Sequence, residues 1–131
     1  MKLVLDTNVL LAAILAPGLC RELVRKRCHA HSLHASPPLL AELAGKLRDK
    51  FGIDPAIVPL YAAYRQRVKL VEASALSTPV CRDADDDVVL ATALAAKADI
   101  IVTGDDDLLI LKEFQGIRIL SPRQFMELRA A

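Results

Sequence analysis

Asp6 sits between two apolar runs, Leu3-Val4-Leu5 before it and Val9-Leu10-Leu11 after it, with only Thr7 and Asn8 as polar neighbours. A carboxylate in such a place is costly to bury unless it is hydrogen-bonded or binds a cation. Asp105 occupies a comparable place, directly after Ile100-Ile101-Val102-Thr103-Gly104, where Gly104 permits a sharp turn. Between them comes the run Asp83-Ala84-Asp85-Asp86-Asp87. Successive helical residues point about 100° apart, so these acids cannot all face one point. Asp85 is the candidate N-cap, and most of the run suits a helix first turn. Asp87 shares a face with Leu90, Ala91 and Leu94, so it is the one expected to aim inward. Glu42 stands four residues before Lys46, a spacing that taken alone describes a surface ion pair. Carboxylates gathered in one cleft repel one another unless a cation neutralises them. Hard oxygen ligands suit Mg²⁺ or Mn²⁺, and such ions support displacement at a phosphodiester. The chemistry these residues point to is metal-dependent phosphoryl transfer or hydrolysis.

For these acids to meet, strand ends must gather at one edge of a sheet. In open α/β sheets, ligands bind outside the carboxyl ends of the strands. The chain has 131 residues, 53% hydrophobic and only 4% aromatic, which suits one domain with a Leu, Val, Ile and Ala core. Apolar runs predict strands at 2–5, 99–103 and 117–120, and a short one at 68–71. Helices are expected at 8–15, 19–27, 55–67, 87–98 and 106–112. Another opens at Ser36-Pro37-Pro38, with Ser36 as N-cap and Leu39, Leu40, Leu43 and Leu47 on its apolar face. A last helix, opened by Ser121-Pro122, is expected to end near Arg129. The slot 29–35 calls for a strand but is polar, with His29, His31 and His34. Alternation of helix and strand predicts a mostly parallel sheet covered on both faces.

The formal net charge of +1 neither favours nor excludes a nucleic-acid partner. The three cysteines, Cys20, Cys28 and Cys81, lack C-x-x-C spacing and read as reduced thiols. With the three histidines they fit no strong zinc spacing. Val9 to Ala16 is the longest clean apolar run near the start and is too short to span a bilayer. Asp6 is also out of place in a signal peptide. The expectation is a cytoplasmic protein without a membrane span.

The motifs together resemble the PIN-domain ribonucleases. Val4-Leu5-Asp6-Thr7-Asn8-Val9-Leu10 is similar to the family's first motif, and Ser36-Pro37 through Glu42 to its second. Cys81 through Ala91 resembles the third, and Val102-Thr103-Gly104-Asp105-Asp106-Asp107-Leu108 the fourth. Ile119-Leu120-Ser121-Pro122-Arg123-Gln124-Phe125 looks like the family's ending. The match runs over nearly the whole chain as a single domain, 1–131. The resemblance implies a three-layer α/β/α fold and Mg²⁺- or Mn²⁺-assisted endonucleolytic cleavage of RNA, leaving 5′-phosphate and 3′-hydroxyl ends. It makes Asp6, Glu42, Asp87 and Asp105 the acidic quartet, Asp107 an accessory acid, and Thr7 and Asn8 supporting residues. It also implies a homodimeric toxin of a type II toxin–antitoxin pair (VapC-like), held inactive by a cognate antitoxin. Arg21, Arg25, Lys26, Arg65, Arg67 and Lys69 are the cations expected to meet the RNA backbone.

Two rivals remain. A phosphoaspartate mechanism wants an acid beside the first-strand Asp or two residues on, where Asn8 stands, and a Lys after a later strand, where Asp105-Asp106-Asp107 stands. A non-catalytic PIN-like module that binds RNA or a protein is the alternative from a different class.

Overall fold

Lys2–Leu5 forms strand β1, and its Leu3, Val4 and Leu5 are all buried. Apolar side chains on both faces are what a strand between two helical layers requires. The computed structural model describes residues 1–128. Its other strands are Ser32–Ala35 (β2), Lys69–Leu70 (β3), Ile100–Val102 (β4), Glu113–Phe114 (β5) and Ile117–Leu120 (β6). They make one six-stranded sheet in the order β3-β2-β1-β4-β6-β5. The first five in that order run parallel, and β5 pairs antiparallel with β6. Phe114 pairs with Ile117 across a two-residue turn, where Gln115 (φ 48°) and Gly116 (φ 84°) are both left-handed. Such turns match the right-handed twist of their strands.

The helices are Thr7–Leu15 (α1), Leu19–Arg25 (α2), Pro37–Phe51 (α3), Pro59–Arg67 (α4), Ala84–Ala96 (α5), Asp106–Leu109 (α6) and Pro122–Met126 (α7). Alternation along the strands sorts the core into two layers. Leu3, Leu5, Leu33, Ile100 and Val102 pack with Leu10 of α1, Leu23 of α2, Leu43 and Leu47 of α3, Tyr64 of α4 and Phe125 of α7. Val4, Ile101 and Ile119 pack on the opposite side with Val89, Leu90 and Ala93 of α5 and Leu108 of α6. The expected α/β architecture, a three-layer PIN-like fold around a mostly parallel sheet, is therefore present. Among the described residues no single helix is long and apolar enough to cross a membrane.

Several boundaries differ from expectation for local reasons. The helix expected over 55–67 is broken, a 3₁₀ turn at Pro55–Ile57 preceding α4, because Val58 stands before Pro59 and is extended (ψ 110°). The helix from Leu19 stops at Arg25 and gives way to a 3₁₀ turn at Arg27–Ala30. Helix α5 starts one turn earlier than expected, at Ala84, because Asp83 and not Asp85 is the N-cap; its carboxylate accepts from the Asp85 N–H at 2.9 Å. Ser36 occupies the N-cap position of α3, but its hydroxyl lies 2.8 Å from the Thr92 hydroxyl and makes no cap bond. That buried contact ties α3 to α5. The last helix ends at Met126, and Arg129, its expected end, lies outside the described residues.

Candidate active site

The parallel strands deliver their carboxyl ends to one edge. β2 leads into α3 and therefore to Glu42, β1 ends at Asp6, and β4 leads to Asp105. Their order in the sheet is β2-β1-β4, so the three loops are neighbours. Asp6 and Asp105 are joined through one side chain. The Thr103 hydroxyl donates to Asp6 Oδ2 at 2.7 Å and accepts from the Asp105 backbone N–H at 3.0 Å. The Asp6 backbone N–H in turn donates to the Val102 carbonyl at 2.9 Å. Thr103 is fully buried, so this relay sets the Asp6 carboxylate against the end of β4.

Asp6, Glu42, Asp86 and Asp105 line one cleft of about 280 Å³, with Asn8, Asp83 and Asp85 beside them and Lys46 and Lys50 on its α3 side. Thr7 is buried behind Asp6, and its backbone N–H helps hold the Asp6 carboxylate. Asn8 is exposed at the rim. Burial pushes the pKa of Asp6 up, opposed by the bonds from Thr103 and Thr7, and the charges of Glu42 and Asp105 push it further up. Asp86 is raised to about 7, first by burial, then by the charge of Asp105 and a hydrogen bond to it, then by Asp6 and Asp83. A carboxyl forced to keep its proton near neutrality marks a site with more negative charge than the protein itself balances. Oxygens of Asp86, Asp105 and Asp107 also lie within 4.8 Å of one another, close enough to share an ion. An all-oxygen donor set of this kind fits a hard divalent cation.

Of the expected quartet, Asp87 does not line the cleft. Asp87 turns its carboxylate away, accepting from the N–H of Val80 (3.1 Å) and Cys81 (2.8 Å). It borders a separate apolar pocket with Pro38, Leu76 and Val88. Asp86 takes the cleft position instead. The error has a physical cause. Helix α5 buries Val89, Leu90, Ala91, Thr92 and Ala93 in succession, so its apolar pattern does not single out a face. Asp86 has Val89, Leu90 and Ala93 at i+3, i+4 and i+7, a stripe as buried as that of Asp87 or more so.

The other expected residues also have clear places. Glu42 combines both readings, lying in the cleft while its carboxylate is 3.8 Å from Lys46 Nζ. Asp107 accepts from Arg82 Nη2 at 2.8 Å, and its backbone N–H donates to Asp105 at 2.9 Å. The cations expected to meet RNA are placed elsewhere. Arg21 donates to the Ala13 and Ile14 carbonyls at the end of α1, Lys26 pairs with Glu22, and Arg67 donates to the Cys28 carbonyl. Thr103, Lys46, Lys50 and Arg82 are the functional candidates that the sequence alone did not single out. For Thr103 the signal was a hydroxyl two residues before Asp105. The histidines do not gather: His31 lies 3.1 Å from the terminal amine and packs edge-on against Phe125, whereas His34 is buried within β2. Burial raises the thiol pKa of Cys28 to about 11 and that of Cys81 to about 12, so neither is a ready nucleophile.

A sheet that gathers acidic side chains beyond its carboxyl edge defines an α/β protein with a cation-type site. The PIN domain family model matches residues 2–107, and the chain belongs to that family. PIN domains are generally nucleases, which agrees with the oxygen-rich cleft. No curated protein matches the chain.

Proposed function

We propose that this protein is a divalent-metal-dependent endoribonuclease and the toxin of a toxin–antitoxin pair. The observation that carries the nuclease reading is the convergence of Asp6, Glu42, Asp86 and Asp105 on one polar cleft at the sheet's carboxyl edge. Family membership supports nuclease chemistry. The RNA substrate, the toxin role, a homodimer and a cognate antitoxin rest on the resemblance in the motifs.

Asp6, Glu42, Asp86 and Asp105 would hold Mg²⁺ or Mn²⁺, with Asp107 as an accessory acid. When bound, the cation supplies charge neutralisation and activation of a water for attack on phosphorus. The protein's own groups do the positioning. Thr103 and the Thr7 N–H fix the Asp6 carboxylate, and the Asp107 N–H fixes that of Asp105. Asn8 offers an amide at the rim to a substrate oxygen or a water. Asp86 would serve as a ligand in its ionised form, as ligand carboxylates must.

The deciding experiment is cleavage of a labelled RNA with Mn²⁺ against EDTA, using metal-clean wild type, Asp6→Asn and Asp105→Asn. Cutting is expected only for wild type with metal. Equal cutting by Asp105→Asn would sink the mechanism. Metal-dependent binding without cutting would favour a non-catalytic module.

A further inference from the structure

A nuclease cleft walled by carboxylates must still admit a polyanion. We propose that two cationic flanks, Lys46 and Lys50 on one side and Arg82 on the other, carry a single-stranded RNA backbone across the cleft. Each flank holds a phosphate next to the one being cut. The inference rests on the nuclease reading above and adds to it the substrate's path.

The placement follows from the sheet. Helix α3 belongs to the β2 side of Asp6, whereas Asp105 and Asp107 belong to the β4 side. Lys46 and Lys50 lie four and eight residues beyond Glu42 on α3, so all three share a helix face, and both lysines line the carboxylate cleft. Lys46 is held only loosely by Glu42, at 3.8 Å.

On the far flank the side chain of Arg82 is 87% exposed, and its guanidinium is bonded at 2.8 Å to Asp107, itself within ion-sharing distance of Asp86 and Asp105. The chain on either side of Arg82 is pinned. Asp87 takes the N–H groups of Val80 and Cys81, and Asp83 caps α5. This gives the carboxylate that Asp87 turns away from the cleft a duty, because it fixes the residue pair that precedes Arg82. A guanidinium has five donors, and the bond to Asp107 leaves others for phosphate oxygens in the forked geometry arginine favours. The lysines offer point charges.

The test is steady-state cleavage of a labelled single-stranded RNA in Mn²⁺ over about 50 to 200 mM salt, where phosphate contacts show as a salt slope. The proteins are wild type, the double variant Lys46→Ala/Lys50→Ala, Arg82→Ala, Arg82→Lys and the remote control Lys97→Gln, an exposed cation at the other end of α5 from Asp86. The double variant and Arg82→Ala should each raise KM about tenfold with little change in kcat. Each removed charge should flatten the dependence of log KM on log salt by about 0.7. Arg82→Lys should keep most of the slope, and Lys97→Gln should match wild type. Active flank variants with wild-type KM and slope overturn the inference alone. So does an Arg82→Ala protein that changes only its Mn²⁺ requirement, since Arg82 would then act through Asp107. Equal effects on duplex RNA overturn its single-strand form. A wild type that cuts no RNA overturns the nuclease reading and the inference together.

Discussion

Asp86 and Asp87 are adjacent carboxylates with opposite duties. Asp86 is held in the cleft at a raised pKa of about 7, and Asp87 is spent on two backbone N–H groups. Because the folded-state pKa of Asp86 is raised, its ionisation costs stability as pH rises from the ordinary carboxylate range through 7. Asp86→Asn removes that cost. In EDTA at pH 8 it should melt a few degrees higher than wild type while its cleavage falls by about 100-fold or more, the scale of losing a group that stabilises a transition state. Asp87→Ala should do the reverse, losing about 1 kcal/mol in urea unfolding because two amides lose their partner, while keeping measurable activity. Thr103→Val should lose roughly 1–3 kcal/mol, since it strips a buried carboxylate of its donor. A higher melting point for Asp87→Ala than for Asp86→Asn would contradict this assignment. The sequence exposed which stretch mattered but not which of two neighbouring acids, because both head buried stripes on a helix with no polar face.

Element by element, the clearest signals were those with a strong apolar run. Lys2–Leu5 and Ile117–Leu120 were found to the residue, and β4 to within one at each end. The Gln115-Gly116 turn and its short β5 went unnoticed because two residues of strand carry no periodicity. β2 was doubtful because it buries a histidine. Both ring nitrogens of His34 are buried without a partner, and burial lowers its pKa, helped by the charges of Lys69 and Lys2. His31 is lowered as well, first by burial. A histidine lowered in the fold is protonated first in the unfolded chain, so stability is lost as pH falls through about 6.5. Asp86 acts in the opposite sense over the same range, so the histidine share is read as a difference: between pH 7.5 and 5.5 the urea midpoint of wild type should fall relative to that of His34→Leu. An equal slope in both proteins would show that His34 carries none of the pH dependence.

For the whole molecule, apolar periodicity and strand–helix alternation were enough to predict a layered α/β fold. They could not give the strand order, which arises from long-range packing, and so could not say which strand ends adjoin Asp6. A cation held in the cleft would add to global stability. Mn²⁺ at about a hundred times its dissociation constant should add about 2.7 kcal/mol. A thermal shift on adding Mn²⁺ that disappears in Glu42→Gln would verify the donor set, and an undiminished shift would remove Glu42 from it.

Strand β1 leaves the ribosome well before one of its two neighbours, β4, which follows about a hundred residues later. Asp6 therefore has no Thr103 and no Asp105 while most of the chain is being made. A nascent or prematurely terminated chain cannot assemble the cleft, since pairing of such distant segments waits for both to emerge. Whatever chemistry the cleft supports therefore begins only once translation has passed β4.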